Sequence, residues 1–266
     1  MNFLLIGVYI FFIQKLFKGL YFIFDMEHNG VYLYKGLPII ARIGIHEATM
    51  KFINDKFKKN TKILVVGCGG GAFEKRLLEN GFKDINSSDI IIENYELDDP
   101  NVDFIQTDLN NDFSNSFKDK FDLIVAIEVI EHLYSTFNFL SESRKLLNGK
   151  GKIIFSTPNL HANSSILVNS LLFYPNYFVG KPGIYGHVNP ILYGVLEYLC
   201  DVTKIKIIKT FSLKGVGEKL SIVRLFKLFI KKIMMFPIII YSFFKNRKNE
   251  LKNLKHEIAI YVLQKN

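Results

Sequence analysis

Short apolar runs recur through the middle of the chain, and stretches with helical periodicity separate them. The apolar runs lie at residues 62–66, 84–88, 102–106, 121–127 and 151–156, and the helical stretches at 43–58, 72–80 and 136–147. Apolar runs of four to eight residues that alternate with amphipathic helices are typical of a mostly parallel sheet with helices on both faces. The pattern therefore predicts an α/β domain that begins near residue 43.

The pattern changes after residue 156. Residues 157–190 are rich in Asn, Pro, Gly, Ser and aromatic residues, as expected of a substrate-binding loop region. A helix is predicted at 190–200, a strand at 204–211 and a last strand at 256–263. We therefore expect a core at 43–213, an insertion at 214–255 and a final core strand within 256–266.

The first 42 residues form a separate hydrophobic segment, predicted to be helical. Residues 3–24 have the length of a membrane span, but Lys15 and Lys18 interrupt the apolar sequence and no basic residue precedes it. The pattern favours a helix that lies on a membrane or enters it partway. A helix packed on the protein's own core and a true span remain alternatives.

The charge of the chain is concentrated in the predicted insertion. The whole chain has a net charge of +9, and residues 214–255 hold eleven Lys and Arg against two acids, which accounts for all of it. Within 221–236, Arg224, Lys227 and Lys231 repeat at helical spacing among aliphatic and aromatic residues, and Pro237 follows. A basic amphipathic helix of this kind suits an anionic membrane surface. The alternatives are a lid over the substrate pocket and, less favoured by the many aliphatic residues, a nucleic-acid surface; no nucleic acid is expected as a partner.

Composition excludes several other classes. Hydrophobic residues make up 49% and charged residues 22% of the 266 residues, a folding composition rather than a disordered one. The two cysteines, Cys68 and Cys200, do not form the pattern of a disulfide framework or a zinc site. We therefore expect a cytoplasmic protein, peripheral to the membrane.

The first apolar run ends in a glycine turn, Gly67-Cys68-Gly69-Gly70-Gly71, which leads into a helix. Glycines let the backbone approach a ligand closely, and the helix that follows directs free N–H groups toward it. The turn alone fits S-adenosylmethionine (SAM), a dinucleotide or no ligand. Asp89, after the second apolar run, can accept hydrogen bonds from ribose hydroxyls in either cofactor.

Further motifs downstream of the turn resemble class I SAM-dependent methyltransferases, above all the quinone-biosynthesis O-methyltransferases and related small-molecule enzymes. The matching segments, in family order, are Ile63–Gly71, Asp89, Phe104–Leu109, Phe121–Leu133 and Gly149–Asn159. The most specific of them is the sequence Glu128-Val129-Ile130-Glu131-His132 after a strand. The resemblance covers about residues 43–213 and implies a Rossmann-like seven-stranded sheet, parallel except for one antiparallel strand near the C-terminus.

The resemblance also assigns cofactor contacts. It implies that the turn surrounds the methionine part of SAM and that Asp89 holds the ribose. It also implies that Ile127 and Glu128, at the end of the fourth strand, face the methionine part and the substrate. The implied cofactor-binding residues are Gly67, Cys68, Gly69, Gly71, Asp89, Asp108, Leu109, Ile127 and Glu128, with Asp108 and Leu109 beside the adenine. One position departs from the family, because Val65 stands where an acid usually orders the turn and the ammonium end of SAM. The loss of this acid either weakens SAM binding or shifts the task to another residue.

Glu131, His132 and His187 are the candidates for catalysis. If the chain is helical after Ile127, then Glu128, Glu131 and His132 share one face at i, i+3 and i+4. His132 and Glu131 then suit acid–base catalysis, and His187 in the later loop is a second candidate base. The alternatives are coordination of Mg²⁺ by the glutamate oxygens and one histidine, and a role of Glu131 and His132 in capping or bracing the helix.

The sequence thus predicts a SAM-dependent enzyme that methylates an oxygen of a hydrophobic small molecule or a lipid-linked glycan at an anionic membrane surface. A non-catalytic, membrane-associated binding protein is an alternative that the Val65 departure leaves open. A nicotinamide-dependent oxidoreductase is a weaker one, since no Tyr-x-x-x-Lys pair is found and Tyr185 is followed by Asn189.

Overall fold

A seven-stranded sheet forms the centre of the protein. The computed structural model describes residues 32–162, 186–213 and 256–266, together with residues 165, 166, 169, 175, 177, 178 and 254. The strands of the central sheet are β3 (Ile63–Val66), β4 (Ile85–Asp89), β5 (Val102–Gln106), β6 (Phe121–Ile127), β7 (Leu147–Pro158), β8 (Ile205–Leu213) and β9 (Ile258–Lys265). Two further strands, β1 (Tyr32–Tyr34) and β2 (Leu37–Ile39), form a separate hairpin.

The strand order is β5-β4-β3-β6-β7-β9-β8. Every neighbouring pair is parallel except the two that involve β9, which runs antiparallel to both β7 and β8. The predicted sheet, with one antiparallel strand near the C-terminus, is confirmed. The order reverses between β3 and β6, and crevices for ligands in open α/β sheets form at such a reversal, beyond the carboxyl ends of the strands.

Both faces of the sheet are covered, which explains why its inner strands are apolar without alternation. All four residues of β3 are buried, with Ile63 and Val65 facing one core and Leu64 and Val66 facing the other. A β-strand directs successive side chains to opposite faces, so a strand covered on both faces requires an uninterrupted apolar run. These runs are the strongest structural signal in the sequence.

Four helices lie in the described ranges. They are α1 (Ile45–Lys56), α2 (Ala72–Glu79), α3 (Thr136–Leu146) and α4 (Tyr193–Val202), and two of them pack on each face. Ser135 begins α3 by accepting a hydrogen bond from the amide of Asn138 at 3.1 Å, which satisfies one of the free N–H groups of the first turn. None of these helices combines the length and the apolar character needed to traverse a bilayer.

The N-terminal part of the sequence differs from the prediction where the structure describes it. Residues 32–39 form the β1–β2 hairpin, so the expectation that 1–42 is helical throughout is wrong there. Lys35 and Gly36 both have positive φ, 53° and 88°, which is the backbone of a two-residue type I′ turn. The predicted membrane helix at 3–24, most of the loop at 163–185 and nearly all of the insertion at 214–255 lie outside the described residues.

The strand ends define two edges of the sheet. We call the end at Val66, Asp89, Ile127, Pro158 and Leu213 the carboxyl edge, and the opposite end the amino edge. The glycine turn and Glu128 follow strands directly and Asp89 ends one, so the sheet brings all three to the carboxyl edge. The predicted site is therefore assembled at one end of the sheet.

Candidate active site

The glycine turn connects β3 to α2 in a backbone conformation that side chains disfavour. Gly67, Gly69 and Gly71 have φ of 63°, 53° and 86°, and Gly71 is the residue that caps α2. A Cβ at position 67 would lie 2.4 Å from Cγ2 of Val129, so a side chain does not fit there. The turn brings bare backbone and the amino end of α2 to the carboxyl edge, which suits a ligand with a polar or charged end.

Asp89, the last residue of β4, is fixed against this turn. Its Oδ2 accepts a hydrogen bond from the amide of Gly69 at 2.9 Å, and its Oδ1 accepts one from the amide of Ile91 at 3.1 Å. Each carboxylate oxygen has a second lone pair and can still accept a hydroxyl hydrogen. Turn and carboxylate are therefore one hydrogen-bonded unit, and the role of Asp89 toward a ribose stays a prediction.

The other residues that the resemblance assigns to the cofactor have different surroundings. Asp108 accepts hydrogen bonds within its own loop from Asn110 and Asn111, and Leu109 is buried in the core. Cys68 is a free thiol within the turn, and burial raises its pKa far above the usual value. Their roles beside the cofactor stay predictions.

Glu128 follows Ile127 at the end of β6 and has a left-handed backbone with φ 54°. Ser156 of β7 holds it there, because the Ser156 hydroxyl accepts from the Glu128 amide at 3.0 Å and donates to Oε1 at 3.1 Å. Positive φ is rare in non-glycine residues and concentrates at functional sites. The expected helix from 128 onward is wrong, since Ile130–His132 form a single 3₁₀ turn and α3 begins only at Thr136.

The structure nevertheless brings the three predicted catalytic residues together. One ligand-type atom from each of Glu131, His132 and His187 lies within 4.8 Å of the others, and the two imidazole rings meet edge to face at 4.7 Å. The contact with the distant loop is made by the backbone, where the Glu131 carbonyl accepts from the amides of Val188 and Asn189 at 2.9 and 3.0 Å. His187 does not follow a strand end, and these backbone hydrogen bonds position it beside Glu131 and His132.

Glu131 is completely buried, and neither of its carboxyl oxygens has a hydrogen-bond partner among the described residues. The hydroxyl of buried Thr157 is likewise without a partner there. Burial first, and then the charge of Glu128, raise the pKa of Glu131 well above its usual value, which favours the protonated carboxyl. A buried carboxyl of this kind is costly to the fold, and such groups concentrate at functional sites.

The remaining ionisable groups have pKa values that separate their roles. Burial raises the pKa of Glu128 to about 6, although the charge of Arg42 and the Ser156 hydroxyl act in the opposite direction. Burial lowers the pKa of His187 to about 4 and lowers that of His132 below 6.5. At neutral pH these shifts favour neutral imidazoles and an ionised Glu128, and they favour the protonated form of Glu131.

Two features of the site were not predicted from the sequence. Arg42 lies over the ring of Tyr177, 4.4 Å from its centroid, and forms an ion pair with Glu257 at 3.7 Å. The β1–β2 hairpin covers the glycine turn, because a Cβ at Gly70 would lie 2.5 Å from Cγ of Pro38. A single arginine and two three-residue strands carry no motif, so pattern analysis had no signal for either.

A family model, curated relatives and a solved structure that are similar to this chain are all named as methyltransferases. A family model described as a methyltransferase domain matches residues 42–190. The chain is similar to a ubiquinone biosynthesis O-methyltransferase of Actinobacillus pleuropneumoniae, with 28% identity over 116 residues; the match covers 40% of this chain and 50% of the relative. It is also similar to a ubiquinone biosynthesis O-methyltransferase of Pelagibacter ubique, with 30% identity over 112 residues; that match covers 40% of this chain and 45% of the relative. The chain thus spans about half the length of the curated relatives it matches. Among solved structures, the fold is similar to that of an S-adenosylmethionine dependent methyltransferase from Mesorhizobium loti, with a TM-score of 0.54 and 12% identity over 84% of this chain and 99% of that one.

Proposed function

Because this chain belongs to the family of methyltransferase domains, we propose that it transfers the methyl group of SAM to an oxygen of a small hydrophobic acceptor. The observation that carries the proposal is the unit formed by the glycine turn and Asp89, in which the turn amide is bonded to the carboxylate. The names of the curated relatives support oxygen as the accepting atom.

The residues at the carboxyl edge fit SAM. The turn has no side chains at Gly67, Gly69 and Gly71 that would obstruct the amino-acid end of the ligand. Asp89 has acceptor capacity for the ribose hydroxyls, and the exposed Ile90 and Ile91 next to it offer apolar surface for the adenine. When bound, SAM supplies a methyl group activated by its sulfonium charge, so that the protein contributes alignment and removal of a proton.

His132 and His187 are the proposed proton acceptors. The ring nitrogen Nδ1 of His187 lies 2.9 Å from the Tyr177 carbonyl, which can only accept, so Nδ1 carries the proton and Nε2 carries the lone pair. The backbone of Gly186 partly offsets the lowering of the His132 pKa that burial causes. Both rings are neutral at pH 7 and can accept the proton that an acceptor hydroxyl loses on methylation.

Glu131 has a complementary role in this proposal. The raised pKa of its carboxyl favours the protonated form, and the carboxyl has no hydrogen-bond partner among the described residues. It can therefore donate a hydrogen bond to a second oxygen of the acceptor while an imidazole deprotonates the first. Such an arrangement favours acceptors with two neighbouring oxygens over simple alcohols.

Coordination of Mg²⁺ fits this cluster poorly. Glu131, His132 and His187 offer two imidazole nitrogens and one carboxyl, whereas Mg²⁺ prefers an octahedral shell of oxygens. A set of two imidazoles and one carboxylate suits a transition-metal ion better, and no step of the proposed reaction depends on a metal.

The assay that tests the proposal follows tritium from methyl-labelled SAM into candidate acceptors, a dihydroxylated aromatic and its singly hydroxylated analogue. We expect transfer to the first and little to the second, with a loss of about 100-fold in kcat for His132→Ala. A chain that binds SAM but methylates no oxygen acceptor in either class would favour the non-catalytic alternative.

We further propose that the carboxyl edge faces an anionic membrane, from which the acceptor enters. Exposed apolar side chains belong to the segments that lead from this edge or contact its loops: Ile40, Ile90, Ile91, Ile92, Tyr134, Phe137 and Val188. The basic insertion also begins and ends here, because β8 ends at Leu213 and Asn159 fixes the returning chain through hydrogen bonds to the carbonyls of Leu254 and His256. Apolar side chains flanked by a segment of net charge +9 suit an anionic lipid surface.

Flotation with vesicles that contain phosphatidylglycerol tests this orientation. Tyr134, at the carboxyl edge, is 81% exposed, and Tyr198, on the side of the domain in α4, is 67% exposed, so the two form a matched pair. We expect Tyr134→Ser to lower partitioning about threefold and Tyr198→Ser to leave it unchanged. Equal behaviour of the two variants, or no flotation of the unaltered chain at low salt, would contradict a membrane-facing carboxyl edge.

A further inference from the structure

A second buried acid lies directly behind the glycine turn. Glu74, the third residue of α2, is completely buried, and its carboxyl accepts a hydrogen bond from the hydroxyl of Ser87. Its other oxygen, Oε2, has no hydrogen-bond partner among the described residues, and no described cation forms an ion pair with it. A carboxyl group without a counter-charge is costly to bury, so its position calls for an explanation.

The place of this carboxyl relative to the strands is informative. Ser87 of β4 is the register partner of Val65 on the neighbouring parallel strand β3. Register partners on adjacent strands direct their side chains to the same face, so the carboxyl that Ser87 holds lies beside Val65. Position 65 is where the sequence lacks an expected acid. An acid is therefore present at that place, but it comes from helix α2 instead of strand β3.

The same carboxyl acts on the glycine turn, because its charge, after burial, helps to raise the pKa of the Cys68 thiol. Gly71 lies three positions before Glu74, and a Cβ at Gly71 would lie 2.5 Å from Cβ of Leu97 and 3.1 Å from Cε2 of Tyr95. The buried Tyr95 hydroxyl has no hydrogen-bond partner among the described residues. Burial, followed in the same direction by the charge of Asp89, raises the pKa of Glu74 to about 7, and the Ser87 hydroxyl opposes the shift. A cationic ligand group at the turn would favour the ionised form.

We propose that Glu74 is a positioning residue for the cofactor: its carboxylate takes the place of the missing acid at position 65, stiffening the glycine turn and attracting the ammonium end of the ligand. This inference rests on the proposed function, since it assumes a ligand with an amino-acid end at the turn. The proposal explains why a carboxyl without an ion-pair partner is buried at Glu74 and why position 65 can be valine instead of an acid.

Titration with two ligands separates this role from a structural one. S-adenosylhomocysteine has the ammonium end and adenosine lacks it, while both have the ribose that Asp89 would hold. For Glu74→Gln we expect the affinity for S-adenosylhomocysteine to fall about tenfold and the affinity for adenosine to stay within about twofold. An equal loss for both ligands, or no loss for either, would overturn the proposal.

Glu142 provides a matched control. It is also a buried glutamate on a helix bonded to a serine hydroxyl, that of Ser114, but Lys145 pairs with it and it lies in α3. Glu142→Gln should lower the melting temperature and leave both affinities unchanged. Loss of S-adenosylhomocysteine affinity in this control would show that removal of any buried acid has the same effect, against the proposal.

A rescue variant keeps the test independent of folding defects. Glu74→Ala should lose affinity for S-adenosylhomocysteine, and the double variant Val65→Asp with Glu74→Ala should recover most of it, because it returns a carboxyl to the same place from strand β3. A folded double variant, verified by thermal melting, that binds no better than Glu74→Ala would contradict the inference. If the unaltered chain bound neither ligand, the proposed function itself would fail, whereas normal binding by Glu74→Gln would remove only this inference.

Discussion

The two edges of the central sheet are built in different ways. At the amino edge, Lys62 forms an ion pair with Asp119 at 2.8 Å, its amide donates to Asp122 at 3.1 Å, and Asn148 donates to the same Asp122 at 2.8 Å. At the carboxyl edge, Glu128 has a left-handed backbone, and buried Glu131 has no partner for its carboxyl among the described residues. These acids at the amino edge are hydrogen-bonded or paired, whereas the buried Glu131 carboxyl at the carboxyl edge is not.

The difference teaches where the protein accepts a loss of stability. Strained backbone, unpaired buried acids and exposed apolar side chains each destabilise the folded protein or lower its solubility, and the carboxyl edge has all three. A ligand and a membrane would satisfy such groups. We therefore expect changes at the carboxyl edge to affect binding and turnover, and similar changes at the amino edge to affect stability alone.

The largest difference between the edges is expected when a glycine with positive φ at each edge is replaced by alanine. Gly67→Ala places a Cβ 2.4 Å from Val129 and should lower SAM affinity at least about 100-fold. Gly81 has φ 85° at the amino edge, and the nearest atom to its Cβ is 3.9 Å away, so Gly81→Ala should cost only ~1–2 kcal/mol of stability. Calorimetric titration and thermal melting measure the two quantities. Loss of SAM binding in Gly81→Ala would remove the distinction between the edges.

The next largest difference is expected between two acids, Glu131 at the carboxyl edge and Asp122 at the amino edge. Glu131→Gln should reduce kcat about 100-fold while it raises stability, because it replaces a carboxyl that is costly to bury. The pKa of Glu131 is higher in the folded than in the unfolded state, where the usual value is 4.5. The unfolded chain therefore releases this proton first as pH rises above 4.5, and the unaltered protein loses stability relative to the variant by up to ~1.4 kcal/mol per pH unit until the folded carboxyl also ionises.

Denaturant unfolding from pH 5 to 7 follows this difference, and a constant difference across the range would contradict it. The control at the amino edge is Asp122→Asn, which removes an acid that is well hydrogen-bonded. This variant should lose about 1 kcal/mol of stability and keep the kcat of the unaltered chain. Lower kcat in Asp122→Asn would mean that the assay responds to stability alone.

A smaller effect is expected from the residue that holds Glu128. Ser156→Ala removes both hydrogen bonds to Glu128 and should lower kcat/KM about tenfold, with ~1–2 kcal/mol of stability lost. Asn148→Ala removes a hydrogen bond to Asp122 at the exposed amino edge and should change stability by less than about 0.5 kcal/mol. Steady-state kinetics on both variants compares the edges, and an unchanged kcat/KM for Ser156→Ala would indicate that the Glu128 backbone has no role in the reaction.

The sequence predicted those parts of the fold that depend on a buried face. The strand at 121–127 matches the prediction to the residue, because a buried apolar run between polar neighbours has few alternative structures. The bounds of the strand at 102–106 also match, although none of its residues is buried. The glycine turn was predicted because it combines an unusual composition with a preceding strand. Asp89 was placed one residue too late, since it ends β4 instead of following it.

The parts that were missed depend on contacts between distant segments. The left-handed Glu128 is set by Ser156 on another strand, and no local preference indicates it. His187 lies beside Glu131, although the sequence that precedes it has no periodic pattern from which this contact could be predicted. Glu74 looked like an ordinary residue in the first turn of a helix, and only the register of Val65 with Ser87 reveals what lies beside it.

The central claim is that the glycine turn and Asp89 together bind SAM at the carboxyl edge. Calorimetric titration of the full chain with SAM, repeated on Asp89→Ala, tests it most directly. We predict one site per chain with a dissociation constant in the micromolar range, about 10–100 µM or tighter, and an affinity at least about 30-fold lower in the variant. No binding at millimolar SAM, or the same affinity in both proteins, would contradict the claim.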